Sequence, residues 1–397
     1  MSAPDYQRTL GRKIAAERKH RGLSQQELAR MIGRSVAWVS QVERGVRRID
    51  RMSVLETLAT ALDLPLAELA ADAPIMAAAE DSPSATDLRL VLSGVHSLRA
   101  MLGEPSSASV DDLRARTATA WELAHASRYT ELADLLTALI PDLETAARAL
   151  PGQVFELVAA AYQACSAALD KLGDPEAAWV AADRAMMAAE RADSPFLVAA
   201  GAFRLVFVFI SARHYDQAEE TARTAADALG RLADDGTPEA MSLWGALTLQ
   251  RAIIAARTGA ARSAYEHIER ARGIAARLGG GRNDYNTEFG PANVELFEIS
   301  VAVEVGDAGR ALRAAEEVDT SGLSSERRAR MLLDVARAHA QRRHVAEAAA
   351  ALRQAGELTP EQLSGHYLAR QIVSDLLTME NPPSEGLREL SVRLGVA

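Results

Sequence analysis

Residues 35–41 carry side chains suited to hydrogen bonding and close contact, at a place where an ordinary surface helix would carry charge. They belong to the segment LSQQELARMIGRSVAWVSQVERG (23–45), in which two short apolar-periodic runs flank Gly33. Gln41 combines a donor and an acceptor in one amide, and the serines near it offer hydroxyl groups. The spacing predicts two short helices joined by a tight turn, the second presenting an uncharged contact face.

Residues 10–62 resemble the helix-turn-helix of the phage-repressor class, often called the Xre family. A close crossing of two helices needs a small residue at the contact, a turn residue that tolerates unusual φ, and apolar anchors on the second helix. The matching residues are Gln25, Ala29, Gly33, Val39, Val42 and the closing Glu43-Arg44-Gly45. In this class the second helix lies in the major groove of double-stranded DNA. The resemblance therefore implies a DNA-binding domain, in which Arg18 and Glu43 form a structural ion pair.

The start of the second helix is expected to read base edges, since this end leads into the groove. By their position in the motif, Val36, Ala37 and Gln41 are the base-facing residues. Glutamine can bond adenine bidentately, and small apolar side chains can meet the methyl group of thymine. For Val36, the alternative is a partly buried residue at the start of the helix.

Phosphate contacts are expected beside that helix, because side chain and backbone N–H together bind phosphate at helix N-termini. Gln25 and Ser35 stand at such termini. Arg34 and Arg44 flank the reading helix. Trp38 packs either against the sugar–phosphate backbone or against the fourth helix, and the basic run after the motif is either phosphate-binding or a solvated loop. The complete set of predicted DNA-binding residues is Gln25, Arg34, Ser35, Val36, Ala37, Trp38, Ser40, Gln41, Arg44, Arg47 and Arg48.

Composition and helix-start signals predict an all-α chain. Alanine and leucine are abundant, glycine and proline are sparse, and no convincing alternating strand pattern occurs. Five short helices are predicted near 6–20, 24–32, 35–44, 53–62 and 65–70. The predicted domains are a DNA-binding domain at 1–70, a linker at 71–86, where the sequence is rich in Ala, Pro, Ser and acid, and a helical body at 87–397.

Four segments of the body repeat one pattern of alanines and polar residues after a longer apolar helix. Ala218, Ala264, Ala311 and Ala348 align, at spacings of 46, 47 and 37 residues. A helix pair of this length cannot bury its apolar face alone, so stacked pairs make the core. The pattern predicts an α-solenoid, and the unequal spacings leave one irregular helical bundle as the alternative. The segments are 215–229, 261–275, 307–318 and 345–358.

The body resembles tetratricopeptide repeats, and the layout of the chain resembles the peptide-sensing bacterial regulators called RRNPP. In that group an Xre-type domain precedes a tetratricopeptide-like receptor and dimerisation domain. The sequence EFGPANV (288–294) resembles a motif of actinobacterial regulators with the same layout. The resemblance implies a homodimer whose helical-repeat domain senses a peptide or a small molecule.

The repeat register predicts an effector groove along one face of the first helix of each pair. That face is apolar in its middle and polar toward its C-terminal end, which suits an apolar ligand with a polar or anionic end. Apolar side chains at helical spacing are also typical of a core, which is the alternative for Phe203, Phe207 and Leu249. The predicted effector-binding residues are Phe203, Phe207, Leu249, Ile253, Asn293, Arg330 and Arg337.

Charge is divided unevenly along the chain. Residues 1–70 hold 12 Lys and Arg against 8 Asp and Glu, whereas the remainder holds 32 against 46. A basic head on an acidic body favours polyanion binding at one end and excludes a protein that coats nucleic acid along its whole length. The single cysteine, Cys165, excludes an internal disulfide framework, and its apolar helical context favours a buried, inert thiol over a reactive one.

Neither enzyme motifs nor membrane signals occur in the sequence. HExxH and GxxxxGK[ST] are absent, and His339 and His344 are five apart, a poorer spacing for one helix face than four. No apolar run is long enough for a transmembrane helix, and the N-terminus has no signal-peptide core. We therefore expect a cytoplasmic protein that is not an enzyme, with no cofactor, no metal and no membrane partner.

These patterns together predict a homodimeric, sequence-specific transcription regulator. It is expected to bind an operator in double-stranded DNA and to respond to an effector through its helical-repeat domain. The alternative is a DNA-binding scaffold whose repeat domain binds a partner protein and no small effector.

Overall fold

The computed structural model of the chain describes residues 3–47, 49, 52–62, 83–94, 108–365, 367–380 and 382–396. Its contacts separate two compact units, Met1–Glu80 and Asp81–Ala397. Helices make up the regular structure of the described residues, among which no β-strand occurs. The prediction of an all-α chain is confirmed.

The N-terminal unit consists of short helices whose bounds lie within a few residues of the predicted ones. The predicted helix at 65–70 lies outside the described residues. The described helices are α1 (Ala3–His20), α2 (Gln25–Met31), α3 (Val36–Glu43) and α4 (Met52–Leu62). Their inward faces form one core, made of Leu10, Ile14, Leu28, Ala29, Val39, Val42, Ile49, Leu55, Leu58, Ala59, Ala61 and Leu62.

The connection between α2 and α3 is held by local hydrogen bonds that the sequence encodes. Ser24 and Glu27 form the predicted capping box: the Glu27 N–H donates to Ser24 Oγ at 3.1 Å, and the Ser24 N–H donates to Glu27 Oε2 at 2.7 Å. Gly33 follows α2 in the left-handed region, at φ 64°, which glycine adopts without Cβ strain. The Arg34 N–H then donates back to the Ala29 carbonyl at 2.8 Å, so the chain turns sharply into α3.

Small residues allow the helices of this unit to cross closely. A Cβ on Gly11 would lie 2.3 Å from the Val42 carbonyl oxygen, and one on Gly45 would lie 2.8 Å from the Arg8 Cα. Backbone atoms cannot give way as a flexible side chain can, so α1 packs on the end of α3 only with glycine at these two positions. Ala29, which is 2% exposed, is buried as expected for the small residue at the crossing.

A buried ion pair joins α1 to the end of α3. Arg18 donates from Nε and Nη2 to the two carboxylate oxygens of Glu43, at 2.5 and 3.0 Å, and from Nη1 to the Leu23 carbonyl at 2.6 Å. Gln25 donates a further hydrogen bond to Glu43 Oε2 at 2.8 Å. Burial opposes ionisation of Glu43, but the hydrogen bonds from Arg18 and Gln25 outweigh it and lower the pKa of the carboxyl group. The structural ion pair implied by the family resemblance is therefore present.

The second unit begins with α5 (Pro83–Val91), so residues 83–86 of the predicted linker are helical. Proline suits a first helical turn because its φ is already fixed and its missing N–H is not needed there. Residues 71–82 of that predicted linker lie outside the described residues. The further helices are α6 (Val110–His125), α7 (Tyr129–Ala149), α8 (Pro151–Lys171), α9 (Pro175–Arg191), α10 (Pro195–Ser211), α11 (Tyr215–Asp234), α12 (Pro238–Arg257), α13 (Ala261–Leu278), α14 (Pro291–Val305), α15 (Ala308–Glu317), α16 (Ser325–Gln341), α17 (Val345–Leu358), α18 (Pro360–Gly365), α19 (Tyr367–Met379) and α20 (Glu385–Arg393).

From α6 to α17 the helices pack as hairpins that share one type of turn. In each hairpin the residue two places before the second helix has a φ between 55° and 88°. The N–H of the residue that follows it donates back to a carbonyl in the last turns of the first helix, which satisfies a helix end and reverses the chain. The six turn residues are Ser127, Gly173, Arg213, Gly259, Gly306 and Arg343.

The four alanines aligned in the sequence occupy one equivalent position in these hairpins. Ala218, Ala264, Ala311 and Ala348 are each the fourth residue of a second helix, and each is 0% exposed. Leu132 and Ala178 hold the same position in two earlier hairpins, and both are also 0% exposed. A small or apolar residue there lets the second helix lie directly on the first, and the predicted helical repeat is confirmed.

The first helices of the hairpins also pack in series, from α6 through α8, α10, α12 and α14 to α16. The series curls so far that α16 comes back into contact with α6. Lys171 of α8 forms an ion pair with Glu326 of α16 at 2.8 Å. At the start of α7, the Thr130 N–H donates to Glu361 Oε2 of α18 at 2.8 Å. The first helices of the solenoid therefore form a ring that polar contacts close. We call this ring the inner ring.

Gly259→Ala is expected to lower the free energy of unfolding by about 1 kcal/mol, because alanine must then adopt a φ near 88°. No atom lies within 4 Å of the added Cβ, so the cost is conformational alone. Gly230→Ala is the matched control, since this glycine also faces open space but lies inside α11. The control should raise the free energy of unfolding by up to about 1 kcal/mol. Urea unfolding followed by circular dichroism measures both changes in the free energy of unfolding. If both variants were stabilised, or both destabilised, the conclusion that the turn needs glycine at position 259 would be contradicted.

Arg18→Met is expected to destabilise the N-terminal unit by about 3 kcal/mol, because it leaves Glu43 buried without a counter-charge. The double variant Arg18→Met/Glu43→Met should recover most of that loss, since an apolar pair of similar volume replaces the ion pair. Amide hydrogen exchange of α1 to α3 in the full chain measures the effect. A double variant as unstable as the single one would show that lost packing, and not the orphaned charge, is responsible.

The same ion pair predicts an acid-dependent loss of stability in the parent. Folding lowers the pKa of Glu43, so its contribution is complete above the ordinary carboxyl value of about 4.3 and is lost as the pH falls through the folded-state pKa. Arg18→Met should lose this part of the pH dependence. Hydrogen exchange of α3 measured from pH 6 downward tests it, and identical pH profiles for variant and parent would contradict the assignment.

Candidate DNA interface and effector site

The first turn of α3 presents the side chains that the sequence assigns to base reading. Val36 and Ala37 are exposed, Val36 to 43%, whereas the two buried valines of the helix face the core. Val36 is therefore accessible at the start of α3, as a base-reading residue must be. Gln41 is half-buried, and its Oε1 accepts a hydrogen bond from Arg47 Nη1 at 3.5 Å, which holds the amide beside the exposed turn.

Ser35 caps the N-terminus of α3, where its Oγ accepts the Trp38 N–H at 3.1 Å. An α-helix leaves its first four N–H groups without partners inside the helix, and one side-chain cap satisfies one of them. Ser35, Val36 and Ala37 are all exposed. This end of the helix can therefore bind an anion such as a phosphate through its remaining N–H groups.

Exposed arginines stand on both sides of α3. Arg34 lies over the ring of Trp38, 5.7 Å from its centroid, and Arg44 donates from Nε to the Ser40 carbonyl at 3.2 Å. Arg44, Arg34 and Arg47 contact only neutral groups within the described residues, so their charges are available to phosphate. Trp38 is half-buried and packs against the core of its own unit.

Two predicted DNA-binding residues differ from the others. Gln25 stands at the start of α2 as predicted, but it is half-buried and its amide nitrogen donates to Glu43. Its side chain therefore braces the Arg18–Glu43 ion pair. Arg48 lies outside the described residues.

The apolar residues of the predicted effector groove lie in two different places, the core and a cavity. Phe203, Leu249 and Ile253 are at most 3% exposed and belong to one core cluster, which is the alternative that the sequence leaves open for the first two. Phe207 is half-buried and lines the cavity. The rings of Phe203 and Phe207 meet edge to face, with their centroids 5.1 Å apart.

The polar members of the predicted groove also differ in their surroundings. Arg337 forms ion pairs with two carboxylates, Glu304 and Asp334, at 3.2 and 3.3 Å from its Nη1. Arg330 forms no ion pair within the described residues, and its guanidinium lies over an aromatic ring of α14 at 5.3 Å. Asn293 is 3% exposed, and its Oδ1 has no hydrogen-bond partner in the described part of the chain.

A cavity of about 50 Å³, partly open to solvent, lies at the inner ring. Its walls come from α6, the start of α7, α8, α10 and α16 and from the loop that precedes α14. This volume holds a few water molecules or one small functional group. Its apolar walls are Trp121, Ala124, Ala167, Ala168, Phe207 and Val208.

Charged side chains of both signs also line this cavity. Three ion pairs are formed among them: Lys171 with Glu326 at 2.8 Å, Arg327 with Glu288 at 3.0 Å, and Arg327 with Glu326 at 3.6 Å. Although burial favours the neutral acid, the positive charges of Lys171 and Arg327 lower the pKa of Glu326, so this carboxylate stays ionised. The charged lining residues are Asp170, Lys171, Arg204, Glu288, Glu326 and Arg327.

Arg204 differs from the other cavity cations because neutral groups alone hold it. Its Nη2 donates to the Asn286 carbonyl at 2.7 Å, and its guanidinium lies over the rings of Trp121 and Phe203, 4.8 and 5.1 Å from their centroids. Its Nε has no hydrogen-bond acceptor within the described residues. Burial, and then the like charge of Arg327, lower the pKa of Arg204, yet a guanidinium remains protonated at neutral pH.

The loop before α14 is strained and is pinned at the cavity wall. Tyr285, Asn286 and Glu288 have φ values between 51° and 56°, in the left-handed region that costs energy for residues other than glycine. Arg204 and Arg327 donate to carbonyl oxygens of this loop, at 2.7 and 3.2 Å. These hydrogen bonds compensate part of the strain and tie the loop to α10 and α16.

The sequence EFGPANV (288–294) continues this loop into α14. The ring of Phe289 fills the space over Gly245, where a Cβ would lie 2.1 Å from a ring carbon. Pro291 is the first residue of α14, and Asn293 and the valine after it are buried. The motif therefore fixes the loop, and with it one wall of the cavity, against α12.

The predicted effector site does not include the cavity-lining residues other than Phe207, although two signals in the sequence point to them. Arg204 is the single charged residue of α10, whose sequence is PFLVAAGAFRLVFVFIS. Lys171 is one of three lysines in a chain that otherwise uses arginine. A lone charge in an apolar helix must reach either solvent or polar partners, so it marks a place where the helix is not simply core.

The remaining candidates for chemistry among the described residues are the histidines, the cysteine and possible groups of metal ligands. His339 and His344 meet across the turn between α16 and α17, with their Nδ1 atoms 3.4 Å apart, although their spacing suits one helix face poorly. No group of three or more His, Cys, Asp or Glu among the described residues could hold a metal ion. Cys165 is buried as predicted, and burial raises the pKa of its thiol to about 12. Within the described ranges, every helix is too short or too polar to cross a membrane.

Comparison with known proteins identifies the N-terminal unit. Residues 9–71 match a family model described as a helix-turn-helix domain. No curated protein matches the chain. A solved structure, described as the crystal structure of Rap protein complexed with competence and sporulation factor, aligns with 90% of this chain and 100% of its own at 11% sequence identity, with a TM-score of 0.45. At that score the likeness supports no inference about ligands or partners. The chain thus carries an N-terminal helix-turn-helix domain, followed by a helical-repeat solenoid.

Proposed function

We propose that the protein is a sequence-specific, DNA-binding regulator of transcription. Its parts are a DNA-binding domain at 1–70, a linker that α5 shortens to 71–82, and a helical-repeat sensor and dimerisation domain at 83–397. The observation that carries the proposal is the exposed first turn of α3 within a segment that matches a helix-turn-helix family model. In such domains the second helix of the motif enters the major groove of an operator.

The contacts to DNA divide into reading and positioning. Val36 and Ala37 offer methyl groups to thymine, and the Gln41 amide offers its donor and acceptor to adenine. Positioning falls to the start of α3 and to the arginines beside it, which bind phosphate without regard to sequence. The residues assigned to phosphate are Gln25, Arg34, Ser35, Arg44, Arg47 and Arg48, with Trp38 and Ser40 lying between the two sets.

Dimerisation follows from the small size of the reading surface. One α3 helix reaches only a few base pairs, and domains of this class reach useful specificity by reading two half-sites about 34 Å apart. The repeat domain is the part of the chain proposed to hold two copies together. A full chain that sediments as a monomer both alone and on DNA would contradict this part of the proposal.

The helical-repeat domain is proposed to bind an effector, either a peptide or a small molecule. The cavity at the inner ring supports this assignment, because a concave site with both apolar and charged walls suits a small ligand or a chain terminus. Of the residues proposed from the sequence, Phe207 lines that cavity and Arg330 lies one turn beyond its wall on α16. Phe203 supports the site through its contacts with Phe207 and Arg204. Leu249, Ile253, Asn293 and Arg337 do not line this cavity and are proposed as effector contacts from the sequence alone.

Selection of bound duplexes from a random pool, with the full chain, tests DNA recognition directly. The expected result is a two-fold symmetric site whose half-sites are about 10 base pairs apart, one helical turn. Recovery of bound DNA without any enriched sequence would contradict sequence-specific reading. Recovery of no DNA would contradict the proposal as a whole.

The selected site then separates reading from positioning residues. Gln41→Ala is expected to weaken binding by about 1–3 kcal/mol and to relax preference at one base pair of each half-site. Arg44→Ala should weaken binding to all sequences alike and reduce the slope of log K against log salt by about one. Fluorescence anisotropy with the selected duplex and its single-base variants measures both.

The control is Arg223→Ala, which removes an exposed arginine of α11 in the repeat domain. It lowers the net charge by the same amount as Arg44→Ala, and DNA affinity should stay as in the parent. If Gln41→Ala and Arg44→Ala lose affinity equally on every sequence, the division between reading and positioning is wrong.

A further inference from the structure

Three arginines of the described residues are less than a tenth exposed, and one of them lacks a carboxylate. Arg18, Arg204 and Arg327 are 7%, 7% and 5% exposed. Arg18 pairs with Glu43 and Arg327 pairs with Glu288. Arg204 forms no ion pair within the described residues, although taking a charge out of water without one is costly. Its position at a cavity suggests that the missing partner comes from outside the chain.

Cations and carboxylates line the cavity in equal number, three of each, but Arg204 is the cation that no carboxylate of the described residues contacts. The carboxylates of Glu288 and Glu326 pair with Arg327 and Lys171. The third carboxylate, Asp170, accepts a hydrogen bond from Ser211 Oγ at 2.5 Å. Within the described part of the chain, the guanidinium of Arg204 therefore has no counter-ion in direct contact.

Hydrogen-bonding capacity is unused at the same place. Arg204 Nε is a buried donor without an acceptor, and His125 Nε2 is buried without a partner. Burial lowers the pKa of His125, so its ring is neutral near pH 7 and can offer one N–H. Both residues line the cavity. Unused donors beside a guanidinium that no carboxylate contacts call for an anionic acceptor.

We propose that this cavity binds a carboxylate group, which Arg204 receives through its guanidinium. A planar carboxylate matches the guanidinium fork, and its single charge matches the one guanidinium of the lining that no carboxylate contacts. A volume of about 50 Å³ admits a carboxylate with a short apolar stem, and the walls of Trp121, Phe207 and Val208 suit that stem. A phosphate dianion would have to lose a stronger hydration shell against the same apolar walls.

A bound carboxylate would also stabilise the closed form of the inner ring. The cavity is lined by α6, α8 and α10 on one side and by α16 on the other, helices that are far apart in the chain. A ligand held between them stabilises the closed ring by mass action. That the carboxylate belongs to the effector rests on the proposed function, whereas its binding does not.

Acetate and acetamide are the first probes, because they have nearly the same size and differ in charge. The full chain is titrated with each by calorimetry, at constant ionic strength set with sodium chloride. Acetate is expected to bind with a Kd on the order of 10 mM, as its few heavy atoms allow, and acetamide at least tenfold more weakly. No heat of acetate binding up to 100 mM, or equal binding of acetamide, would overturn the proposal.

Two variants locate the site by independent means. Arg204→Met removes the charge, and Ala167→Phe fills the cavity without changing any charge. Each should weaken acetate binding at least tenfold, while Arg223→Met, on the exposed face of α11, leaves it unchanged. Should Arg204→Met fail to fold, since it also loses the hydrogen bond to Asn286, Ala167→Phe decides alone. Acetate binding by a folded Ala167→Phe at the parent's affinity would place the anion elsewhere and reject the site.

The source of the carboxylate is distinguished by the dipeptide Ala-Phe and its C-terminal amide. Tighter binding of Ala-Phe than of acetate, lost on amidation, assigns the site to a peptide terminus. Binding of acetate without Ala-Phe assigns it to a small free acid, and either result supports a carboxylate site. DNA affinity of the same preparation is measured separately. Acetate binding without DNA binding rejects the proposed function alone, and DNA binding without acetate binding rejects this inference alone.

Discussion

The ion pair between Lys171 and Glu326 fixes the geometry on which the repeat domain depends. A stack of helix hairpins contacts mainly its nearest neighbours, so small rotations between hairpins add up along the stack. The pair joins α8 to α16, and Arg327 beside it pairs with Glu288 of the strained loop. A buried ion pair gains about as much in attraction as it loses in hydration, so its net contribution to stability is small. Its effect is to fix how closely α16 approaches α8, and thereby the volume that remains at the inner ring.

Helix bounds and the repeat of the buried alanines can be predicted from the sequence, because they depend on residues close together in the chain. The apolar spacing and the capping residues of α1 to α4 locate these helices to within a few residues, because each signal acts over one or two turns. The buried alanines of the hairpins are equally local, since Ala218 and its equivalents recur four residues into each second helix. The turn before them is less visible. Glycine marks it in three of the six hairpins, while Ser127, Arg213 and Arg343 adopt the same left-handed φ without the residue that would announce it.

The candidate effector site does not follow from local pattern, for a geometric reason. A first helix in the middle of the solenoid has neighbours on several sides, and most residues of α12 and α14 are buried, so apolar periodicity does not show which face turns inward. An error of one residue rotates a helical face by about 100°. That error separates Phe203, which lies in the core, from Arg204, which lines the cavity. The partners of Arg204 lie in a loop some eighty residues later, and no spacing rule connects positions so far apart.

Arginine serves three purposes in this chain, and partner and exposure distinguish them better than sequence position does. Arg18 is buried with a carboxylate and holds two helices together. Arg34 and Arg44 are exposed without one, and water solvates them at little cost until a phosphate replaces it. Arg204 is buried without a carboxylate, an arrangement that is costly in the free protein and favourable once an anion enters. In a chain that uses arginine for nearly all its positive charge, the presence of arginine therefore says little. The informative observation is a buried guanidinium that contacts aromatic faces and carbonyl oxygens but no carboxylate.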